Sequence, residues 1–213
     1  MNLSTFIYIV LMMSIPYLWY IKRSTNPKKG FSILFISVIS SVVFIKFNLI
    51  VLIGFLILFS TLFHEKEKIS DISFLVSFLI LLFEANSFLD EILLQSILPI
   101  TLISGIFALM MIGHWFLVDP TITRDGMKNI AKSSMFLAIL LCLMLITGVN
   151  SSSISSFYRN IILGLYVSSG VLSLGSLKSL NETSYTGVMA ATGLSYLSLL
   201  VSLGGTGTLI LLP

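Results

Sequence analysis

Long apolar runs separated by short polar segments make up almost the whole chain of 213 residues. Runs near twenty residues match the length at which an α-helix crosses the hydrocarbon core of a bilayer. A transmembrane β-barrel would instead show segments of about ten residues with alternating polarity. The pattern therefore predicts an all-α fold, a polytopic helical membrane bundle. Eight spans are predicted, near residues 3–21, 30–45, 47–63, 71–89, 92–118, 133–149, 160–177 and 185–212.

Residues 30–63 decide the number of spans, because this apolar run is long for one helix and short for two. As one straight helix it would extend about 51 Å at 1.5 Å per residue, against a hydrocarbon core of about 30 Å. As two helices that turn at Lys46–Asn48, each arm is about 24 Å long. A single crossing here gives the alternative of seven spans.

The distribution of charge favours the turn. With eight spans, two basic residues lie on one side of the membrane, Lys46 and Arg159, and all the others lie on the opposite side. With seven spans the basic residues divide almost evenly, and Lys46 is stranded inside the membrane. Cytoplasmic loops carry the excess of Lys and Arg, so we expect eight helices, both termini outside and the basic loops in the cytoplasm. The basic side holds Lys22, Arg23, Lys28, Lys29, Lys66, Lys68, Arg124, Lys128, Lys132 and Lys178.

Composition narrows the class of protein further. Hydrophobic residues make up 56% of the chain and charged residues 10%, whereas a soluble domain carries about 25% charge. The net charge of +3 follows from membrane orientation and predicts no nucleic-acid partner. The loops are too short for a soluble domain, so residues 1–213 are expected to form a single transmembrane helical domain. A prokaryotic cytoplasmic (inner) membrane is the expected location.

His114 and Trp115 lie side by side near the end of the predicted fifth helix, about 7 Å before Asp119. A membrane histidine can ligate haem, exchange a proton with quinone or bind a metal. His64, at the end of the third predicted span, is a candidate second ligand for haem b, but it is expected at the water interface and so at a different depth from His114. Met110 or Met111 is the alternative ligand. The favoured interpretation is simpler: Trp115 belongs to the interfacial aromatic belt, and His114 reaches the head groups or a backbone carbonyl.

Glu84 is the second candidate, because ionisable groups inside a membrane are costly. It lies about 9 Å before Asp90 along the predicted helix. It can carry protons to or from quinol or help bind a cation in a transporter. Alternatively it reaches the outer membrane surface, or it pairs with Lys46 or Arg159, the basic groups on that side.

Small residues follow one face of each of the last two predicted helices. Helix eight has Gly187, Ala191, Ser195, Ser198 and Ser202 at three- and four-residue spacing, and helix seven has Gly164 with Ser168 and Ser169 with Ser173. Such stripes allow close helix packing in lipid. They predict contact between helices seven and eight, or with other membrane subunits.

Three functions fit these features. The favoured one is an integral membrane subunit of a larger energy-metabolism or electron-transfer complex, contributing a haem or quinone pocket or only scaffold. The alternatives are a small transporter or carrier and, less favoured, a lipid-modifying membrane enzyme. Catalysis by the chain alone is not expected. An enzyme would need a catalytic cluster at one face, and only His114, Asp119, Arg124 and Asp125 offer one.

Overall fold

The computed structural model describes residues 3–25, 30–61, 67–86, 93–148 and 155–211, and the regular structure in those ranges is entirely α-helical. The all-α prediction is confirmed. The eight helices are α1 (Leu3–Thr25), α2 (Phe31–Ile45), α3 (Leu49–Ser60), α4 (Glu67–Asn86), α5 (Leu93–Val118), α6 (Asp125–Thr147), α7 (Ser156–Asn181) and α8 (Tyr185–Leu211).

Within the described residues, five helices are long and apolar enough to cross a membrane: α1, α5, α6, α7 and α8. Helices α2 and α3 are apolar but shorter, at 15 and 12 residues. Helix α4 has 20 residues but includes the charged residues Lys68, Asp71 and Glu84. The chain is thus consistent with a multi-pass integral membrane protein, and eight separate crossings remain a prediction.

The interruption predicted at Lys46–Asn48 is confirmed. Asn48 has an extended backbone, and its side-chain oxygen accepts hydrogen bonds from the backbone amides of Ile50 and Val51. An asparagine in this position satisfies amides that have no partner inside the helix, so it starts a new helix. Residues 30–63 are therefore not one continuous helix.

Several helices begin earlier than the apolar runs predicted. Helix α6 begins at Asp125, directly after its N-cap residue Arg124. The predicted span begins later, at residue 133. Helix α4 begins at Glu67 and not near residue 71. A helix can begin with a polar turn where it extends beyond the apolar layer of the membrane. Such a turn contains no apolar run, so hydrophobicity alone does not reveal it.

The helices form two compact units. The first contains α1 up to Ile15 together with α2, α3 and α4. In it α3 and α4 run antiparallel, because the Ser77 hydroxyl donates to the Gly54 carbonyl (2.7 Å) and the Ser70 hydroxyl to the Thr61 carbonyl (3.0 Å). Helix α2 belongs to the same unit and carries buried side chains such as Phe35.

The second unit contains the remainder of α1, from Pro16, and helices α5 to α8. A fully buried Tyr166 of α7 anchors its core, and the Tyr166 hydroxyl hydrogen-bonds that of Thr206 at 3.0 Å. The other members of this core come from α5, α6 and α7: Leu102, Ile106, Ala138, Leu141, Leu145 and Ile162.

Helices α7 and α8 pack through the predicted small residues. All five members of the helix-eight stripe are buried. The Ser198 hydroxyl lies 2.9 Å from that of Ser169 and 3.4 Å from that of Ser173. In contrast, Gly164 and Ser168 are exposed. Of the two small-residue pairs on α7, one therefore faces α8 and the other faces outward.

Basic residues collect at one end of the second unit. The Asn129 amide donates to the Tyr20 hydroxyl at 2.7 Å, which places the end of α1 beside the start of α6. Arg124 bonds the loop between α7 and α8, so the end of α7 lies there too. Six of the predicted cytoplasmic cations belong to this end: Lys22, Arg23, Arg124, Lys128, Lys132 and Lys178. Which side of a membrane this end faces remains a prediction.

Candidate functional site

His114 of α5 contacts Tyr196 of α8. The His114 Nε2 atom lies 3.2 Å from the Tyr196 hydroxyl, and the rings meet edge to face with centroids 5.4 Å apart. The two helices run antiparallel here, since Phe116 also contacts Tyr185 at the start of α8 (centroids 6.1 Å apart). Helical side chains tilt toward the N-terminus of their own helix. In an antiparallel pair that tilt brings His114 and Tyr196 toward each other.

Gly113 allows α5 and α8 to approach closely at this site. A Cβ atom added at Gly113 would overlap the side chain of Thr192, which is itself buried. Small residues have this role wherever helix backbones approach each other in membranes. The His114–Tyr196 pair therefore depends on a glycine one position away from the histidine.

Both rings of the pair lie on the outer surface of the second unit. Tyr196 is 41% exposed, and His114 is also exposed. The hydrogen-bond roles of the imidazole depend on its tautomer. Together the two groups offer a hydrogen-bond donor and an acceptor at this exposed surface. Trp115, predicted to act beside His114, is half-buried, and His64 lies outside the described residues.

Glu84 is buried, at 6% exposure, in the first unit. Its Oε1 atom accepts a hydrogen bond of 2.5 Å from the Asn48 side-chain amide. The Asn48 side-chain oxygen caps α3. The Glu84 carboxylate therefore lies beside a helix N-terminus, where negative charge is favourable. Burial lowers the pKa of Lys46, and the Glu84 carboxylate opposes this shift. Lys46, one of the two predicted partners, therefore interacts with Glu84 electrostatically.

Sequence reasoning missed the residues that contact His114 and Glu84. Nothing in the sequence connects Tyr196 to His114, which is 82 positions away. Asn48 did carry a signal, because an asparagine directly before an apolar run is a typical helix start. It is 36 positions from Glu84, so the cap was predictable and the contact was not.

Arg124 holds the loop between α7 and α8. Its guanidinium donates to the carbonyls of Glu182, Thr183 (2.9 Å) and Ser184 (3.2 Å), and it lies over the Phe116 ring. These carbonyls follow the last turn of α7, where a cation is favourable. The geometry gives Arg124 a structural role in this loop.

Asp119 has a similar local role. It is buried, and its Oδ1 atom accepts hydrogen bonds from the backbone amide and the hydroxyl of Thr121. Such a turn ends α5 and leads into α6. Two of the four residues considered for lipid chemistry, Asp119 and Arg124, thus have contacts that account for them structurally.

In the part of the chain that the structure describes, no three His, Cys, Asp or Glu side chains come together as a metal site. Comparison with protein-family models, with curated proteins and with solved structures finds no match for this chain. The class that the fold defines is a helical protein consistent with multiple membrane crossings, and function rests on the chemistry of the residues alone.

Proposed function

We propose that the chain is an integral membrane subunit of a larger energy-metabolism or electron-transfer complex. In this proposal the outer faces of α7 and α8 pack against a neighbouring subunit. The supporting observation is a pair of exposed glycines in these helices, Gly164 and Gly193. A Cβ atom added to either would have no neighbour within 4 Å in the described part of the chain.

Exposed glycines in a helix need a physical reason, because glycine costs about 1 kcal/mol relative to alanine there. Inside the chain the reason is close packing: at Gly113 an added Cβ would overlap the Thr192 side chain. No such contact exists within the described residues for Gly164 or Gly193. A helix from another subunit supplies the missing contact, as small residues do between membrane helices.

Purification in a mild detergent tests this proposal. The native protein is expected to isolate with other membrane subunits that mass spectrometry identifies as components of an energy-metabolism complex. Gly164→Leu is expected to reduce the recovery of those chains severalfold. Val171→Leu is the matched control, because Val171 is 62% exposed on the same helix and already carries a side chain. Isolation of the native chain alone, or equal loss in both variants, would contradict the proposal.

The His114–Tyr196 pair favours a quinone-using complex within this proposal. A lipid-accessible hydroxyl beside an imidazole can hydrogen-bond a quinone carbonyl, and quinones reach their sites through the membrane interior. Tyr196→Phe is expected to weaken quinone binding about tenfold, the equivalent of one hydrogen bond of about 1.4 kcal/mol. Tyr185→Phe, at another exposed tyrosine of α8, is the control.

Two further measurements distinguish the alternatives. A Soret absorption band that disappears in His114→Ala would assign the histidine to haem instead of quinone. Substrate uptake into liposomes that is lost in Glu84→Gln would favour the carrier alternative. Quinone binding that is unchanged in both His114→Ala and Tyr196→Phe would exclude the pair as a quinone site.

A further inference from the structure

A groove of about 360 Å³ runs between the second half of α1 and the start of α6. This volume is in the range of small-molecule sites. The lining is mostly apolar, with a few polar groups. The lining residues are Pro16, Tyr17 and Tyr20 of α1 and Asn129, Ile130 and Ser133 of α6.

The polar groups of the groove have defined places. Asn129 and Tyr20 hydrogen-bond each other at 2.7 Å and bridge the groove near the ends of the two helices. The Tyr17 hydroxyl, one turn deeper, donates to the Thr101 carbonyl at 3.4 Å. Pro16 and the buried Ile130 provide apolar surface, and Ser133, one turn along α6 from Asn129, adds a hydroxyl. The groove therefore has a polar outer end at Asn129 and Tyr20, and the rest of its lining is mostly apolar.

A basic residue lies beside the polar end on each of the two helices. On α1, the Lys22 ammonium lies 4.7 Å and the Arg23 guanidinium 5.4 Å from the centre of the Trp19 ring. On α6, Lys132 is three residues after Asn129 and so lies next to it on the helix surface, whereas Lys128 lies on the far side of the helix from Ile130. Asp125 is the one acidic residue of α6, so cations outnumber it at this end of the groove.

We infer that this groove binds one anionic phospholipid. The phosphate lies at the polar end, near Arg23 and Lys132, and an acyl chain lies along Pro16 and Ile130. Charge complementarity selects this occupant, because basic pockets between membrane helices attract anionic head groups and each nearby cation strengthens that attraction. The apolar interior requires a ligand with a hydrocarbon chain and not a free phosphate ion.

Native mass spectrometry and thermal unfolding of the delipidated protein in detergent test this inference. Phosphatidylglycerol is expected to bind as one retained molecule per chain and to raise the unfolding temperature. Lys132→Gln is expected to weaken that binding about fivefold, the effect of one nearby cation. Lys178→Gln is the matched control, because Lys178 is an exposed cation at the same end of the second unit but does not flank the groove.

A second variant separates the groove from the charges. Asn129→Leu removes the bond to Tyr20 and fills the polar end, while all the cations remain; it is expected to abolish the retained lipid. Three results would overturn the inference: equal weakening in Lys178→Gln, equal stabilisation by phosphatidylcholine, or the same stabilisation by inorganic phosphate. The effect of Gly164→Leu on the recovery of partner subunits is measured separately from lipid binding. Either proposal can therefore fail while the other holds.

Discussion

The contact between Asn48 and Glu84 gives a prediction whose size follows from the structure. The Asn48 side chain caps α3 through its oxygen and donates to Glu84 through its nitrogen. Loss of a cap costs about 1 kcal/mol. Loss of the donor leaves a buried carboxylate short of a hydrogen bond, which costs about 1–3 kcal/mol more. Asn48→Ala is therefore expected to lower the free energy of unfolding by about 2–4 kcal/mol.

A double-mutant cycle separates the two contributions. In a Glu84→Leu background no carboxylate remains to lose its partner, so Asn48→Ala is expected to cost only the cap, about 1 kcal/mol. The difference between the two backgrounds, about 1–3 kcal/mol, is the coupling energy of the pair. Asn48→Ser keeps a capping oxygen on a shorter side chain that does not reach Glu84, so it is expected to lose the coupling alone.

Equilibrium unfolding in mixed micelles, followed by far-ultraviolet circular dichroism, measures these free energies. Ser41→Ala is the control, because Ser41 of α2 bonds only a carbonyl of its own helix (2.9 Å) in an exposed position; its effect is expected within about 0.5 kcal/mol. An equal cost of Asn48→Ala in both backgrounds would refute the contribution of the Glu84 bond. A cost below about 0.5 kcal/mol would refute the cap as well.

Two further predictions concern the α7–α8 pair. Gly187→Ala is expected to lower the unfolding temperature, because its Cβ atom would collide with the Ser179 carbonyl at a cost of about 1–3 kcal/mol. Gly193 has open space around it, so Gly193→Ala is expected to raise the stability of the isolated chain by up to about 1 kcal/mol. The same sign for both would contradict the packing described here. Arg124→Gln is expected to release the loop at residues 182–184, measured as severalfold faster limited proteolysis there. An unchanged rate of proteolysis would contradict the structural role of this arginine.

The apolar runs were sufficient to predict the helices. Each run of hydrophobic residues became an α-helix because backbone hydrogen bonds within a helix are local and need no distant partner. Even the interruption at Lys46–Asn48 follows from local chemistry, since Asn48 caps the helix that follows it. The helix start at Glu67 was missed, because its first turn is polar and gives no signal in hydrophobicity.

The contacts of the candidate residues were decided by the tertiary structure. His114 bonds Tyr196 and Glu84 bonds Asn48, and both pairs depend on how neighbouring helices are rotated and aligned along their axes. For α5 and α8 this alignment depends on packing, because Gly113 lets the two helix backbones approach each other. The sequence by itself thus determined which residues are helical and which side chains are polar. Which polar side chains meet was settled only by helix packing, because it joins residues far apart in the chain.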